Sequence, residues 1–124
     1  MAKMLPDAIL DLIADELIAN GDEMTLCNAQ PTTYLEAHTT FKLADVALAG
    51  GDYAKANGDV DGRKVTIAAK SDVTVDATDT GTHVAITDTV GEVLKAVTTC
   101  TNVSVVLGGT VDFPAWKITP RDPT

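Results

Sequence analysis

Between residues 63 and 89 apolar and polar positions alternate, and turn residues interrupt the alternation at even spacing. Val65, Ile67 and Ala69 share one face and Val73, Val75 and Ala77 another, with Lys70-Ser71-Asp72 and Asp79-Thr80-Gly81 between. Period-two alternation of β-branched residues broken by Ser, Asp and Gly predicts a half-buried antiparallel meander. The period is different near the N-terminus. At about 100° per residue, Leu5, Ile9, Leu10, Leu12, Ile13 and Leu17 fall on one broad apolar arc, with Asp7, Asp11 and Asp15 opposite. Pro6 and Asp7 suit a first turn and Asn20-Gly21 a left-handed stop, so a helix is expected over 6–20. Glu16 falls inside the apolar arc; it either reaches the edge of that arc, the preferred reading, or meets a Lys or Arg.

Short strands are expected over most of the remainder. Residues 24–29 and 41–49 read as strands, joined by a turn or short helix over 31–37. Gly50-Gly51 marks a tight turn, which would return 52–56 as a hairpin partner of 41–49. Residues 57–62 form a loop, and Val90-Gly91 ends the meander. Residues 92–99 fit a helical stripe through Val93, Leu94 and Val97 as well as a strand, and the strand is preferred. Residues 103–107 and 110–113 flank Gly108-Gly109 as a second hairpin, and 115–119 closes the sheet before a Pro-rich end. The expected fold is mainly β: an antiparallel β-sandwich or barrel-like domain with one N-terminal α-helix. Residues 1–21 make the helical segment and 22–124 the β domain, together one structural domain.

Size and charge narrow the function. A chain of 124 residues buries about two-thirds of its unfolded surface, so stability requires neither disulfide nor metal. Eighteen acidic against nine basic residues give a net charge of -9, which repels phosphate backbones and anionic lipid. Neither nucleic acid nor membrane is therefore an expected partner. Asp7, Asp11 and Asp15 interrupt any signal-peptide core, no apolar run reaches spanning length, and synthesis in the cytoplasm is expected. Thr is abundant while Ser occurs only at Ser71 and Ser104, which favours strands over flexible linker. Cys27 and Cys100 lack redox-motif spacing and are expected as two buried free thiols.

Candidate chemistry is sparse. Asn57-Gly58-Asp59-Val60-Asp61-Gly62 matches the opening half of a calcium loop, but the position of the closing bidentate Glu is Ala68, and a solvated hairpin loop is the better reading. The Asp stripe of the helix reads as a solvated face, with docking on a basic partner surface as the alternative. Neither Ser lies in a nucleophile elbow, and His38 and His83 have no patterned acid or nucleophile nearby, so no catalytic residue and no cofactor site is assigned and an enzyme is not expected. Gly50-Gly51 and Gly108-Gly109 precede strands, whereas a phosphate cradle precedes a helix. Tyr34, Phe41, Tyr53, Phe113 and Trp116 are the aromatic residues, too few to suggest a carbohydrate platform, and Trp116 reads as core or interface.

Four segments together resemble small structural proteins encoded among the head genes of tailed bacteriophages: LCNAQPTTYLEA at 26–37, DGRKVTIAAK at 61–70, GTHVAITD at 81–88 and PAWKITPRDP at 114–123. The resemblance implies a non-enzymatic virion protein that decorates or stabilises the capsid exterior, or sits at the head-tail junction. The implied partners are the capsid or neighbouring virion proteins, with a homo-oligomer, a trimer in preference, as the assembled form. An acidic surface suits the outside of a shell better than its DNA-lined interior. Leu5, Ile9, Leu10, Leu12, Ile13 and Leu17 are the expected interface. The alternative is a receptor- or glycan-binding β-sandwich of a tail fibre or adhesin, which exposed and adjacent Trp116 and Tyr53 would favour.

Overall fold

The computed structural model describes residues 7–57 and 63–118, leaving aside the side chains of residues 7–10, 13 and 57. The chain is mainly β with one helix near its start, in a sandwich-like arrangement of antiparallel sheets. Helix α1 spans Asp7–Asn20, and among the described residues nine strands follow: β1 Glu23–Cys27, β2 Lys42–Ala47, β3 Tyr53–Asn57, β4 Arg63–Ile67, β5 Lys70–Thr74, β6 Asp79–Asp88, β7 Val93–Val105, β8 Thr110–Phe113 and β9 Trp116–Ile118. One layer is a four-stranded sheet in the order β2-β1-β6-β7. The second is built from a β3-β4-β9 sheet and a β5-β8 pair.

The second layer is a bent ribbon. β4 pairs with β9, with Ile67 opposite Trp116, and β5 pairs with β8, with Lys70 opposite Phe113, so the chain passes from one pair to the other through 68–69 and 114–115. Each break has a chemical cause. Ala68 donates its N–H to the Asp52 carbonyl at 2.8 Å instead of to a ladder partner, and Pro114 has no N–H to donate. A bulge then twists β5: Asp72 is held at φ 56°, a conformation Asp tolerates better than most residues, and its N–H bonds the Asp112 carboxylate at 2.9 Å.

The expected meander of 63–89 is therefore not formed, since β4, β5 and β6 belong to three different pairings. Alternation states which side chains are buried, but a strand with one apolar face satisfies it against any neighbour. The two hairpins placed at the Gly pairs fail for the same reason. β3 leaves β2 after a short 3-10 turn at Gly50–Asp52 and pairs with β4 instead. The Gly108-Gly109 turn does form, with Gly108 at φ +86°, but it docks on Val75 by two backbone bonds and sends β8 to β5. The segment 92–99 is strand, as preferred, and continues without a break to Val105.

The two layers share one core. Met24, Leu26, Val84 and Ile86 of the first meet Tyr53, Val65, Ile67, Val73, Val111 and Phe113 of the second, with Ala14 and Leu17 entering from the helix. Among the described residues no buried side-chain polar atom lacks a hydrogen-bond partner. The helix stop differs from expectation, because Gly21 is not left-handed. Its N–H bonds Leu17 O at 2.7 Å and its carbonyl accepts the Tyr53 hydroxyl at 2.7 Å, an approach close enough to exclude a side chain. Burial pushes the Tyr53 phenol well above its ordinary pKa.

Candidate functional site

Three places gather chemistry or exposed apolar surface. The first is the outward side of α1. Ala14 and Leu17 are buried, while Leu12, about 140° around the axis from Leu17 at 3.6 residues per turn, is 58% exposed. Ion pairs hold the helix from both sides: Asp11 accepts Arg63 Nε at 2.9 Å, Asp15 accepts Lys55 Nζ at 2.9 Å, and Glu16 accepts Lys95 Nζ at 2.6 Å. The Lys95 and Asn20 donors hold the Glu16 carboxyl below its ordinary pKa. Asp11 and Asp15 of the Asp stripe, read as solvated or partner-facing, thus dock on basic residues of the chain's own β3 and β4. Glu16 meets a lysine, the alternative set aside in favour of the edge. Beside Leu12 lies a hollow of about 300 Å³ lined by Leu12, Glu16, Leu17, Lys95, Ala96 and Ile118.

The six residues expected at an interface divide accordingly. Leu5 lies outside the described residues, and the side chains of Ile9, Leu10 and Ile13 are likewise not described. Leu12 is exposed. Leu17, at 3% exposure, is a correction: it belongs to the chain's own core and offers a partner only the floor of the hollow. Helical periodicity shows that these residues share an arc but not how much of that arc the domain's own sheets cover.

The second place is a buried polar cluster on the other face of the four-stranded sheet, under residues 28–41. Glu23, only 9% exposed, accepts His38 Nδ1 at 2.7 Å and Thr87 Oγ1 at 3.0 Å. Tyr34 stacks on His38 with ring centroids 5.0 Å apart. The crossing segment is anchored by Ala37, fully buried against Cys27 and Ala85, and by Asn28, which donates to Asp79 at 2.9 Å. A buried carboxylate with two donors is satisfied, and its geometry is that of a clamp holding the crossing segment to the sheet. No spacing signal marks it along the chain, because Glu23, His38 and Thr87 come from three separate stretches. His83 lies elsewhere and bonds Thr82 Oγ1 at 2.8 Å.

The third place surrounds Cys100. Two hollows of about 170 and 270 Å³ share Val84, Cys100, Thr101, Phe113 and Pro114 and open between β7 and the β8–β9 edge. Cys100 is partly exposed there, a correction to two fully buried thiols, whereas Cys27 is wholly buried on the opposite face of the sheet. The intervening sheet keeps the two apart. Burial raises both thiol pKa values, so little thiolate is present near neutrality. Thiol labelling should modify Cys100 slowly and Cys27 only after unfolding; labelling of Cys27 in the native protein would contradict the packing.

The loop read as a half calcium site lies, apart from Asn57, outside the described residues; β3 and β4 on either side pair as a hairpin, with Asn57 opposite Arg63. Calcium binding no tighter than about millimolar is expected, because the closing carboxylate is missing. Calorimetry checks this, and a micromolar dissociation constant lost in Asp61→Ala would overturn it. Among the described residues no group of three His, Cys, Asp or Glu is arranged to hold a metal, and no helix is long and apolar enough to cross a membrane. Tyr53 and Trp116 do not form the exposed pair that would favour a glycan platform: Tyr53 is buried, and the Trp116 indole N–H points at Met24 Sδ at 3.4 Å. Comparison with models of known protein families, with curated proteins and with solved structures finds no match for this chain.

Proposed function

We propose that this protein is a non-enzymatic structural component of a tailed-phage virion that decorates or stabilises the capsid exterior by contacts with neighbouring virion proteins, assembling as an oligomer. The observation that carries the reading is Leu12, 58% exposed on a helix otherwise held down on both sides, beside an apolar hollow of about 300 Å³. A large apolar side chain kept in water next to a hollow is the arrangement of an anchor and its socket. The acidic balance supports an outward position, since a net charge of -9 disfavours contact with packaged DNA. The resemblance of residues 26–37, 61–70, 81–88 and 114–123 to phage head proteins supplies the setting.

Leu12→Asp should leave the β fold intact, because the residue is exposed, yet greatly reduce incorporation into particles. Mass spectrometry and cryo-EM of purified virions check this. Density inside the head, or full incorporation of Leu12→Asp, would remove the reading.

A further inference from the structure

The hollow beside Leu12 and the hollows around Cys100 lie along one seam between the two layers. β7 of the first layer contributes Lys95 and Ala96 to the hollow beside Leu12, then Thr98 and Cys100 to the next, while β9 of the second layer contributes Ile118 and then Trp116. The opposite flank of the sandwich is fastened by backbone. There Asp76 N–H bonds Leu43 O at 2.7 Å, Ala44 bridges Val75, and Lys42 Nζ lies 3.6 Å from an Asp76 carboxylate oxygen.

Helix α1 crosses the seam at its Ala96–Ile118 end and is tied to both layers through side chains. Asp11 and Asp15 reach Arg63 and Lys55 of the second layer, while Glu16, one residue further on, reaches Lys95 of the first. The two kinds of fastening respond differently to salt. The side chains of Asp15 and Glu16 are each 52% exposed, and dissolved ions screen pairs of this kind, since the Debye length falls from roughly 10 Å at 0.1 M to about 3 Å at 1 M. Hydrogen bonds between neutral backbone groups are not weakened in this way. Salt therefore loosens the flank that α1 spans and leaves the β2–β5 flank joined. The C-terminal end of α1 also stays in place, because Gly21 O accepts the neutral Tyr53 hydroxyl, and Ala14 and Leu17 remain buried by apolar contact. The ion pairs are thus a bias on local opening, not the whole of the attachment.

We infer that α1 is a salt-sensitive strap across the β7–β9 seam: while its carboxylates pair with both layers the seam is held at the Ala96–Ile118 end, and when those pairs are screened β7 and β9 part there, with the β2–β5 join as the hinge. The strap operates whether or not the protein is a virion component.

Two readouts on the full chain test this. Hydrogen exchange of the α1 amides should quicken by roughly threefold or more when sodium chloride is raised from about 0.05 M to about 1 M, the combined effect of several weak surface pairs. Trp116 is the sole tryptophan, and its indole N–H reaches across the seam to Met24 Sδ at 3.4 Å. Its quenching by acrylamide, an uncharged probe, should rise over the same salt range. Lys95→Met removes the tie to the first layer and keeps the aliphatic stem, so it should raise both signals at low salt and leave a smaller salt response; Glu16→Gln should do the same. Amides of β2 and β5 should exchange at an unchanged rate in salt, and Lys42→Met, on the opposite flank, should leave the α1 and Trp116 signals as they are. Salt-independent signals, parallel loosening of β2 and β5, faster α1 exchange with no change at Trp116, or wild-type behaviour of both Lys95→Met and Glu16→Gln would each overturn the strap.

Discussion

Replacing Ile86 with Ala should cost about 2–5 kcal/mol, the range for removing a large aliphatic side chain from a packed core. Ile86 has 0% exposure on β6, at the centre of the first layer, and it belongs to the cluster shared by both layers and the helix. No surface residue can move into the space, because Met24, Ile67 and Val65 around the same core are also fully buried. Against a typical total stability of roughly 5–15 kcal/mol this is a large fraction, and the melting temperature should fall by roughly 10 °C or more. Val90→Ala, at an 89% exposed turn position, is the control and should change stability by less than about 0.5 kcal/mol. Thermal and urea unfolding measure both; equal effects would mean that the two layers do not share this core.

Gly21→Ala should destabilise by about 2–4 kcal/mol through two added effects, overpacking and loss of a buried hydrogen bond. A Cβ at this position would lie 2.7 Å from the Tyr53 hydroxyl oxygen and 2.9 Å from the Leu17 carbonyl oxygen. The carbonyl is helix backbone and cannot step aside, so the phenol has to move and its bond to Gly21 O is lost. Tyr53→Phe alone should cost about 1–2 kcal/mol, the value of a buried hydrogen bond whose acceptor is left unpaired. In the Tyr53→Phe background Gly21→Ala should then cost clearly less than in the wild type, because one of the two obstructing oxygens is already gone. Strict additivity in this double-mutant cycle would refute the shared contact.

Much of the local structure was legible in the sequence. The helix, expected over 6–20 and found at Asp7–Asn20, the strands near 24–29, 41–49 and 92–99, and the turns at Val90-Gly91 and Gly108-Gly109 follow from periodicity and turn chemistry, which act within a few residues, whereas Lys70-Ser71-Asp72 and Asp79-Thr80-Gly81, read as breaks, lie inside β5 and β6. At Asp88, for instance, the carboxylate accepts the N–H groups of Val90 and Gly91 at 3.0 and 2.9 Å, a turn that short-range sequence can encode. The candidate sites were less legible. Leu12 was named with five neighbours on one arc, and the arc could not say that Leu17 is core while Leu12 is outside. The clamp of Glu23, His38 and Thr87 had no signal, since residues 64 apart in the chain meet only after β1 and β6 have paired.

By itself, then, the sequence determined a mainly antiparallel β domain with one N-terminal helix, the positions of several strands, and the inward face of Val65 with Ile67 and of Val73 with Val75. Tertiary structure alone decided which strands pair. A strand of alternating pattern buries its apolar face equally well against any complementary sheet, so Val65 and Val73 could be assigned to buried faces but not to two separate pairings. It also decided that Asp11 and Asp15 pair with Arg63 and Lys55 across 52 and 40 residues, and that Cys100 sits at an open hollow while Cys27 is sealed. Each depends on how two distant segments pack, and the energy that selects one packing comes from the burial they share, which no local stretch of sequence contains.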